Sequence, residues 1–172
     1  ICEDLVPDYI AIPTSSGGLF RGITKGFIEL NESGIIENLP TFISVQAEGC
    51  SPVFNAYYED KNKIEMIEHP DTVAESISNP YPPSGNEVLR KLNRLDGICI
   101  KVNDDEIIKA KRKISREGIY CLPASATGVA AVDKLKKREI IGDNSKVVTI
   151  VTGSGLKSKH NHYKGGRIKE CS

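Results

Sequence analysis

The feature that most constrains the fold of this chain is the alternation of short apolar runs with amphipathic segments. Residues 8–13 form an apolar run with β-branched side chains, which is typical of a buried strand. Between Leu19 and Leu30 the apolar side chains recur at three- and four-residue steps, which predicts a helix that ends near Gly34. A strand and a helix therefore follow each other at the start of the chain.

The same alternation continues along the rest of the chain. The patterns predict three further strands and four further helices: strands at residues 42–46, 98–102 and 146–152, and helices at residues 51–59, 86–95, 103–117 and 125–138. Prolines and a glycine interrupt residues 60–85, so only a short helical turn at residues 72–77 is expected there. Repeated alternation of this kind predicts an α/β fold with a doubly wound parallel sheet, in which ligands bind at the carboxyl ends of the strands.

The composition narrows the class of protein. A chain of 172 residues with 39% hydrophobic and 27% charged residues has the size and composition of one globular domain. Its 23 basic residues equal its 23 acidic ones, so no overall charge attracts nucleic acid or an anionic membrane, and no apolar run is long enough to span one. The five cysteines form no Cys-x-x-Cys pair, and we expect reduced core thiols in a cytoplasmic protein.

The first loop suited to a ligand is Thr-Ser-Ser-Gly-Gly at residues 14–18, between the first strand and the first helix. Backbone amides at a helix N-terminus have no partner within the helix and carry partial positive charge, which suits a phosphate group. No Gly-Lys-Ser/Thr sequence follows, so this is not a Walker A loop, and the Gly-x-Gly-x-x-Gly pattern is also missing. An ordinary tight turn capped by serine is the alternative.

A second glycine-containing loop, at residues 151–157, follows the last predicted strand. Thr152 would present its hydroxyl at the end of that strand, near the first loop if the two strands are neighbours. A glycine-rich exit turn without a ligand is the alternative. Further along, His160 and His162 stand two residues apart with no carboxylate or cysteine at ligand spacing, so no metal site is expected.

Five segments, in order over nearly the whole chain, carry a resemblance to a known family. They are residues 7–27 around the first loop, Ile43-Ser-Val-Gln-Ala-Glu-Gly-Cys-Ser-Pro52, Asp71-Thr-Val-Ala-Glu75, Leu122-Pro-Ala-Ser-Ala126 and Thr152-Gly-Ser-Gly-Leu-Lys157. Together they closely resemble the threonine synthases, which are pyridoxal-phosphate enzymes of the tryptophan-synthase-β-like fold (fold type II). The resemblance implies that this chain forms most of the large cofactor domain of such an enzyme.

The resemblance also implies a cofactor, pyridoxal 5'-phosphate, and residues that would hold it. Five residues correspond to the family's phosphate loop, whose amides would hold the cofactor phosphate: Ser15, Ser16, Gly17, Gly18 and Leu19. Thr152 corresponds to the hydroxyl that contacts the pyridine nitrogen, and a neutral hydroxyl cannot hold the ring fully protonated as a carboxylate would. The implied reaction converts O-phospho-L-homoserine and water into L-threonine and phosphate.

Two upstream motifs of the family do not occur in this chain. One is the Ser-Phe-Lys-like motif with the Schiff-base lysine, and the other is a Ser-x-Gly-Asn-like loop. We therefore expect residues 1–157 to be the C-terminal part of such an enzyme, followed by a polar tail at residues 158–172. Because it would hold no catalytic residue, this chain is expected to be inactive without the missing N-terminal part of the same polypeptide. The intact protein is expected to be a cytoplasmic homodimer acting on an amino acid.

Three departures from the family's motifs leave the reaction open. Leu122, Ser154 and Ser158 stand where the family often has Glu, His and Asp, respectively. Other activities of the same fold are therefore alternatives, namely threonine dehydratase, cysteate synthase and cysteine synthase. A non-catalytic α/β module that binds a phosphorylated ligand is the alternative from a different class.

Overall fold

The structure, a computed structural model, describes residues 6–157. Its parallel strands are β1 (Tyr9–Pro13), β2 (Thr41–Ala47), β3 (Ile98–Val102) and β4 (Val147–Thr149). Its α-helices are α1 (Gly18–Glu32), α2 (Pro52–Tyr58), α3 (Gly85–Arg94), α4 (Asp104–Arg116) and α5 (Pro123–Lys137). Short 3-10 turns lie at Glu75–Ile77 and Gly155–Lys157.

The strand order across the sheet is β3-β2-β1-β4. The chain moves outward from β1 through β2 to β3 and then returns to place β4 on the opposite side of β1. Tyr9 pairs with Val147 and Ala11 with Thr149, so β1 and β4 run side by side. The direction of winding therefore changes between β1 and β4. In doubly wound folds this switch point opens a crevice at the carboxyl ends of the strands.

Helices cover both faces of the sheet. On one face, β-strand residues such as Ile10 and Phe42 pack against buried side chains of α1, α2 and α3. On the other face, residues such as Ala11 and Val45 pack against buried side chains of α4 and α5. Neighbouring strand residues thus face opposite layers, as the pleat of a strand requires. The predicted doubly wound parallel α/β fold is confirmed.

The element boundaries agree with the sequence pattern except at the last strand. Asn103 caps α4, since its side chain accepts from the amide of Glu106 while the carboxylate of Glu106 accepts from the amide of Asn103. The predicted strand at residues 146–152 was too long, because β4 ends at Thr149. Thr152 therefore lies three residues beyond the strand, in a segment bound to α5.

The cysteines within residues 6–157, which are Cys50, Cys99 and Cys121, are free and buried, as expected of core thiols. Burial raises the pKa of the Cys99 thiol from 9.0 to about 12. A hydrogen bond with Ser44 acts in the opposite direction and lowers this pKa by a smaller amount. Cys2 and Cys171 lie outside the described residues.

Cys99 should give the fold a pH dependence in the alkaline range. Because the neutral thiol is favoured in the folded state, its contribution to the unfolding free energy is complete below pH 9.0. That contribution is lost as the pH rises towards about 12. The difference in unfolding free energy between this chain and Cys99→Ala should therefore shrink over that range. Urea unfolding at several pH values measures it, and a difference that does not change with pH would contradict the assignment.

Candidate functional site

The candidate site lies where the loops that follow β1 and β4 leave the same edge of the sheet. Both strands are parallel neighbours, so residues 14–18 and residues 150–153 emerge together at the switch point. The sequence left open whether the strands before the two glycine-containing loops are neighbours, and the pairing of β1 with β4 shows that they are. Each loop is held in place by contacts that the sequence pattern did not reveal.

The first loop presents a row of backbone amides that no other described group uses. In the hydrogen bonding of residues 6–157, none of the amides from Ser15 to Leu19 donates to a protein acceptor. Ser16, Gly18 and Leu19 are exposed, and the helix dipole of the 15-residue α1 points its positive end at the same place. A loop of free amides at the start of a long helix can hold a phosphate dianion.

Gly17 gives this loop its shape. Its φ of +90° lies in the left-handed region, and it occupies the cap position of α1. A Cβ atom at Gly17 would lie 2.8 Å from Cγ2 of Val88 and 2.9 Å from Cβ of Ser84. Both the backbone angle and the space therefore require glycine here. The loop turns sharply because it packs directly on the start of α3.

Polar contacts fasten the loop to α3. The Ser84 amide donates to the Ser16 carbonyl at 3.1 Å, and Arg21 Nη1 donates to Ser84 Oγ at 3.1 Å. Arg21 Nε also pairs with Glu87 Oε2 at 2.6 Å, with both side chains partly exposed. Such an exposed pair contributes at most about 1 kcal/mol to stability, so its main effect is to fix the orientation of α1 relative to α3.

The second loop is clamped against the start of α5. Leu122 N donates to Gly153 O at 3.0 Å, Gly155 N donates to Tyr120 O at 3.0 Å, and Cys121 and Ser154 form an antiparallel bridge. This bridge explains why β4 is short, since the chain leaves the sheet to pair with residues 120–122.

Thr152 is exposed beside the buried hydroxyl of Ser125. The two side-chain oxygens lie 3.2 Å apart, and Ser125 Oγ accepts the amide of Gly153 at 2.8 Å. Ser125 Oγ also lies 3.4 Å from the carbonyl oxygen of Gly153. Sequence reasoning singled out Thr152 but missed Ser125. The only signal was the position of Ser125 inside the matched segment at residues 122–126.

The departures from the family's motifs lie in this part of the chain. Leu122 packs against Gly153, where an added Cβ would meet its Cδ1 atom at 2.7 Å, so an aliphatic side chain stands where glutamate is frequent. Ser154 Oγ accepts the amide of Leu156 at 3.3 Å. Ser158, like the candidate metal ligands His160 and His162, lies outside the described residues.

The residues of the site fit a ligand with a phosphate at one end and a polar ring atom at the other. The free amides after β1 suit the phosphate, and the Thr152 hydroxyl suits a ring nitrogen. Over residues 6–157, no cluster of three or more His, Cys, Asp or Glu side chains could hold a metal ion. Within the same residues, no helix is both long enough and apolar enough to cross a membrane.

Residues 1–153 match the family "Pyridoxal-phosphate dependent enzyme". The chain is 35% identical over 161 residues to the threonine synthase of Methanocaldococcus jannaschii, and covers 40% of that protein with 91% of its own length. It is 37% identical over 153 residues to the threonine synthase of Methanosarcina acetivorans, and covers 38% of that protein with 88% of its own length.

Solved structures share the fold. The chain resembles a fungal L-serine ammonia-lyase from Rhizomucor miehei with a TM-score of 0.70 and 20% sequence identity, over 88% of this chain and 46% of that one. At this identity the likeness shows the fold alone, which is that of fold-type-II pyridoxal-phosphate enzymes. The chain spans about 40% of the length of the curated relatives named above.

Proposed function

Because this chain belongs to the family of pyridoxal-phosphate-dependent enzymes, we propose that it is the cofactor-holding part of a threonine-synthase-like enzyme. The observation that carries the proposal is the loop of unused amides at Ser15–Leu19, which follows β1, while Thr152 follows the neighbouring parallel strand β4. When bound, pyridoxal 5'-phosphate supplies the electron sink for bond breaking at an amino acid.

The residues of this chain would act by binding and orientation. Amides of Ser15, Ser16, Gly17, Gly18 and Leu19 hold the cofactor phosphate, and the positive end of α1 favours its charge. Thr152 would offer its hydroxyl to the pyridine nitrogen and so help to orient the ring. The short bridge between Ser154 and Cys121 ties the segment that carries Thr152 to the chain just before α5.

The proposed reaction is conversion of O-phospho-L-homoserine and water to L-threonine and phosphate. Both curated relatives described above are named threonine synthase, and they share 35% and 37% of aligned residues with this chain. By the resemblance, the lysine that binds the cofactor covalently would lie in a Ser-Phe-Lys-like motif, and that motif does not occur in these 172 residues. Chemistry on the substrate therefore requires the remainder of a longer, cytoplasmic polypeptide, and this chain is inactive without it.

An apolar surface beside β4 supports the need for further chain. Among the described strands β4 pairs only with β1, so the outer edge of β4 has no strand partner. A groove of about 220 Å³ next to it is lined by Ile23 and Phe27 of α1 and by Val148 and Ile150. A free edge flanked by apolar side chains favours pairing with another segment. We assign this edge and groove as the surface on which the remainder of the polypeptide packs, because the relatives are much longer than the part they share with this chain.

Alone in solution, this chain should associate through the same surface as its concentration rises. Replacing Ile23 by lysine places a charge in the groove and should weaken the association at least tenfold, since burying an unpaired charge costs several kcal/mol. Ile35→Lys, on a side chain that is 65% exposed, is the matched control and should leave association unchanged. Sedimentation equilibrium measures both. If the two variants associate equally, the groove does not mediate the association.

The reaction itself is tested on the native polypeptide that contains this chain. Incubated with O-phospho-L-homoserine and pyridoxal 5'-phosphate, it should release phosphate and threonine in equal amounts. Release of ammonia and a keto acid from threonine, without turnover of the phosphorylated substrate, would instead establish a dehydratase. A native protein that binds the cofactor phosphate and turns over neither substrate would be a binding module.

A further inference from the structure

Two carbonyl groups of the loop before α1 are held by hydrogen bonds, and these bonds fix the direction of the amides that follow them. The Ser84 amide donates to the Ser16 carbonyl at 3.1 Å, and the Arg21 amide donates to the Gly17 carbonyl at 3.0 Å. In a planar trans peptide the carbonyl and the following amide point in opposite directions, and none of the described peptide bonds is cis. The Gly17 amide therefore points away from Ser84, and the Gly18 amide points away from the first turn of α1.

The Gly17 amide has no partner although the residue is buried. Among residues 6–157 no backbone or side-chain acceptor receives a hydrogen bond from this amide. Backbone amides in the interior of a protein are rarely left unpaired. An acceptor atom of a ligand would satisfy the Gly17 amide, and it would have to approach from the side opposite Ser84.

Arg21 is connected to both of these held peptide groups. Its backbone amide holds the Gly17 carbonyl directly, and its Nη1 atom donates to Ser84 Oγ at 3.1 Å. Ser84 in turn holds the Ser16 carbonyl through its own amide. Arg21 Nε pairs with Glu87 Oε2 at 2.6 Å, which fixes the direction of the guanidinium group. The guanidinium group thus bridges the first turns of α1 and α3, and the Glu87 carboxylate neutralises its charge.

We infer that Arg21 is a positioning residue whose side chain, acting through Ser84, aims the Gly17 amide at the cofactor phosphate. The inference rests on the proposed function, in which this loop holds that phosphate. The Arg21 side chain does not touch the ligand and acts by geometry, because Glu87 already neutralises its charge. A lysine at this position would keep the positive charge but would lose the planar group that reaches two acceptors in fixed directions.

The test measures how much the phosphate group contributes to cofactor binding. The native polypeptide that contains this chain, freed of cofactor, is titrated with pyridoxal 5'-phosphate and with pyridoxal, which keeps the ring and the aldehyde but lacks the phosphate. The ratio of the two affinities isolates the phosphate contribution, because both ligands share the contacts to the ring. In Arg21→Lys this ratio should fall about three- to tenfold, which corresponds to one weakened hydrogen bond. The affinity for pyridoxal itself should stay unchanged.

Further variants separate positioning from other effects. Ser84→Ala removes the hydroxyl that Arg21 holds and should lower the ratio by a similar factor. Because Arg21 acts through Ser84, combining the two changes should lower the ratio no further. Lys25→Gln is the matched control, since it breaks an exposed ion pair with Glu29 on the same helix and should leave the ratio unchanged. Thr152→Val removes a proposed ring contact, so it should weaken the binding of both ligands and also leave the ratio unchanged.

The outcomes separate this inference from the proposed function. If the unaltered polypeptide binds the two ligands equally well, the loop holds no phosphate, and the proposed function and the inference fail together. If the ratio is high but Arg21→Lys keeps it, the inference alone fails, because a positive charge is then sufficient at this position. A ratio that falls as much in Lys25→Gln, or falls further in the double variant, would also overturn it. A lowered ratio in Arg21→Lys and in Ser84→Ala, with no further loss in the double variant, supports the inference.

Discussion

Replacing Gly17 by alanine is expected to abolish phosphate binding by this chain and to lower its unfolding free energy by about 2–5 kcal/mol. A left-handed backbone costs a non-glycine residue about 1–2 kcal/mol, and overpacking a dense contact costs about 1–3 kcal/mol. Here the added methyl group would meet Val88 and Ser84 at less than 3.0 Å. To relieve this contact the loop must move away from α3, and this movement would change the direction in which its amides point.

The matched control for this prediction lies on the same helix. Gly22 has an ordinary helical backbone and no atom within 4 Å of an added Cβ, so Gly22→Ala should be neutral or stabilise the chain by up to about 1 kcal/mol. Isothermal titration with inorganic phosphate and urea unfolding measure both effects. A Gly17→Ala variant that binds phosphate as tightly as the unaltered chain would show that the loop does not hold the phosphate.

Replacing Phe42 by alanine should cause the largest loss of stability, about 3–5 kcal/mol. Phe42 is 1% exposed in the centre of the sheet, and its ring meets Phe20 and Phe27 of α1 edge to face at centroid distances of 6.4 Å and 5.9 Å. Its removal leaves a cavity beneath α1, the helix that begins at the loop of residues 14–18. Phosphate affinity should therefore fall together with stability.

Phe54→Ala is the control for the aromatic deletion. Phe54 is only partly buried, and its ring stacks on Tyr58 at a centroid distance of 4.4 Å at the surface of α2. Phe54→Ala should lower the unfolding free energy clearly less than Phe42→Ala does when both variants are compared by urea unfolding. A loss below about 1 kcal/mol for Phe42→Ala would mean that the packing of α1 on the sheet does not depend on this ring.

The fold could be predicted because its signals are local. Hydrophobic periodicity located β1 to β4 and α1 to α5 to within a few residues, including the start of α4 after Asn103. The end of β4 could not be found in this way. The apolar run continues to Val151, and only the pairing of residues 153–155 with residues 120–122 takes the chain out of the sheet.

The site was predictable only in part for the same reason. Gly17 and Thr152 stand in glycine-containing loops whose composition indicates a ligand. Ser125 lies 27 residues from Thr152 in sequence, and Ser84 is still further along the chain from Ser16, so their hydrogen bonds depend on the tertiary fold. The prediction that the loop amides bind the cofactor phosphate, and that Thr152 binds the ring, awaits the binding measurements described above.

The most direct test of the central proposal is the mass of the native polypeptide from its source cells after treatment with borohydride. We expect a polypeptide well above 18.8 kDa that carries a reduced pyridoxyl phosphate on a lysine outside these 172 residues. A native mass of 18.8 kDa without bound cofactor, or a cofactor attached to a lysine within these residues, would contradict the proposal.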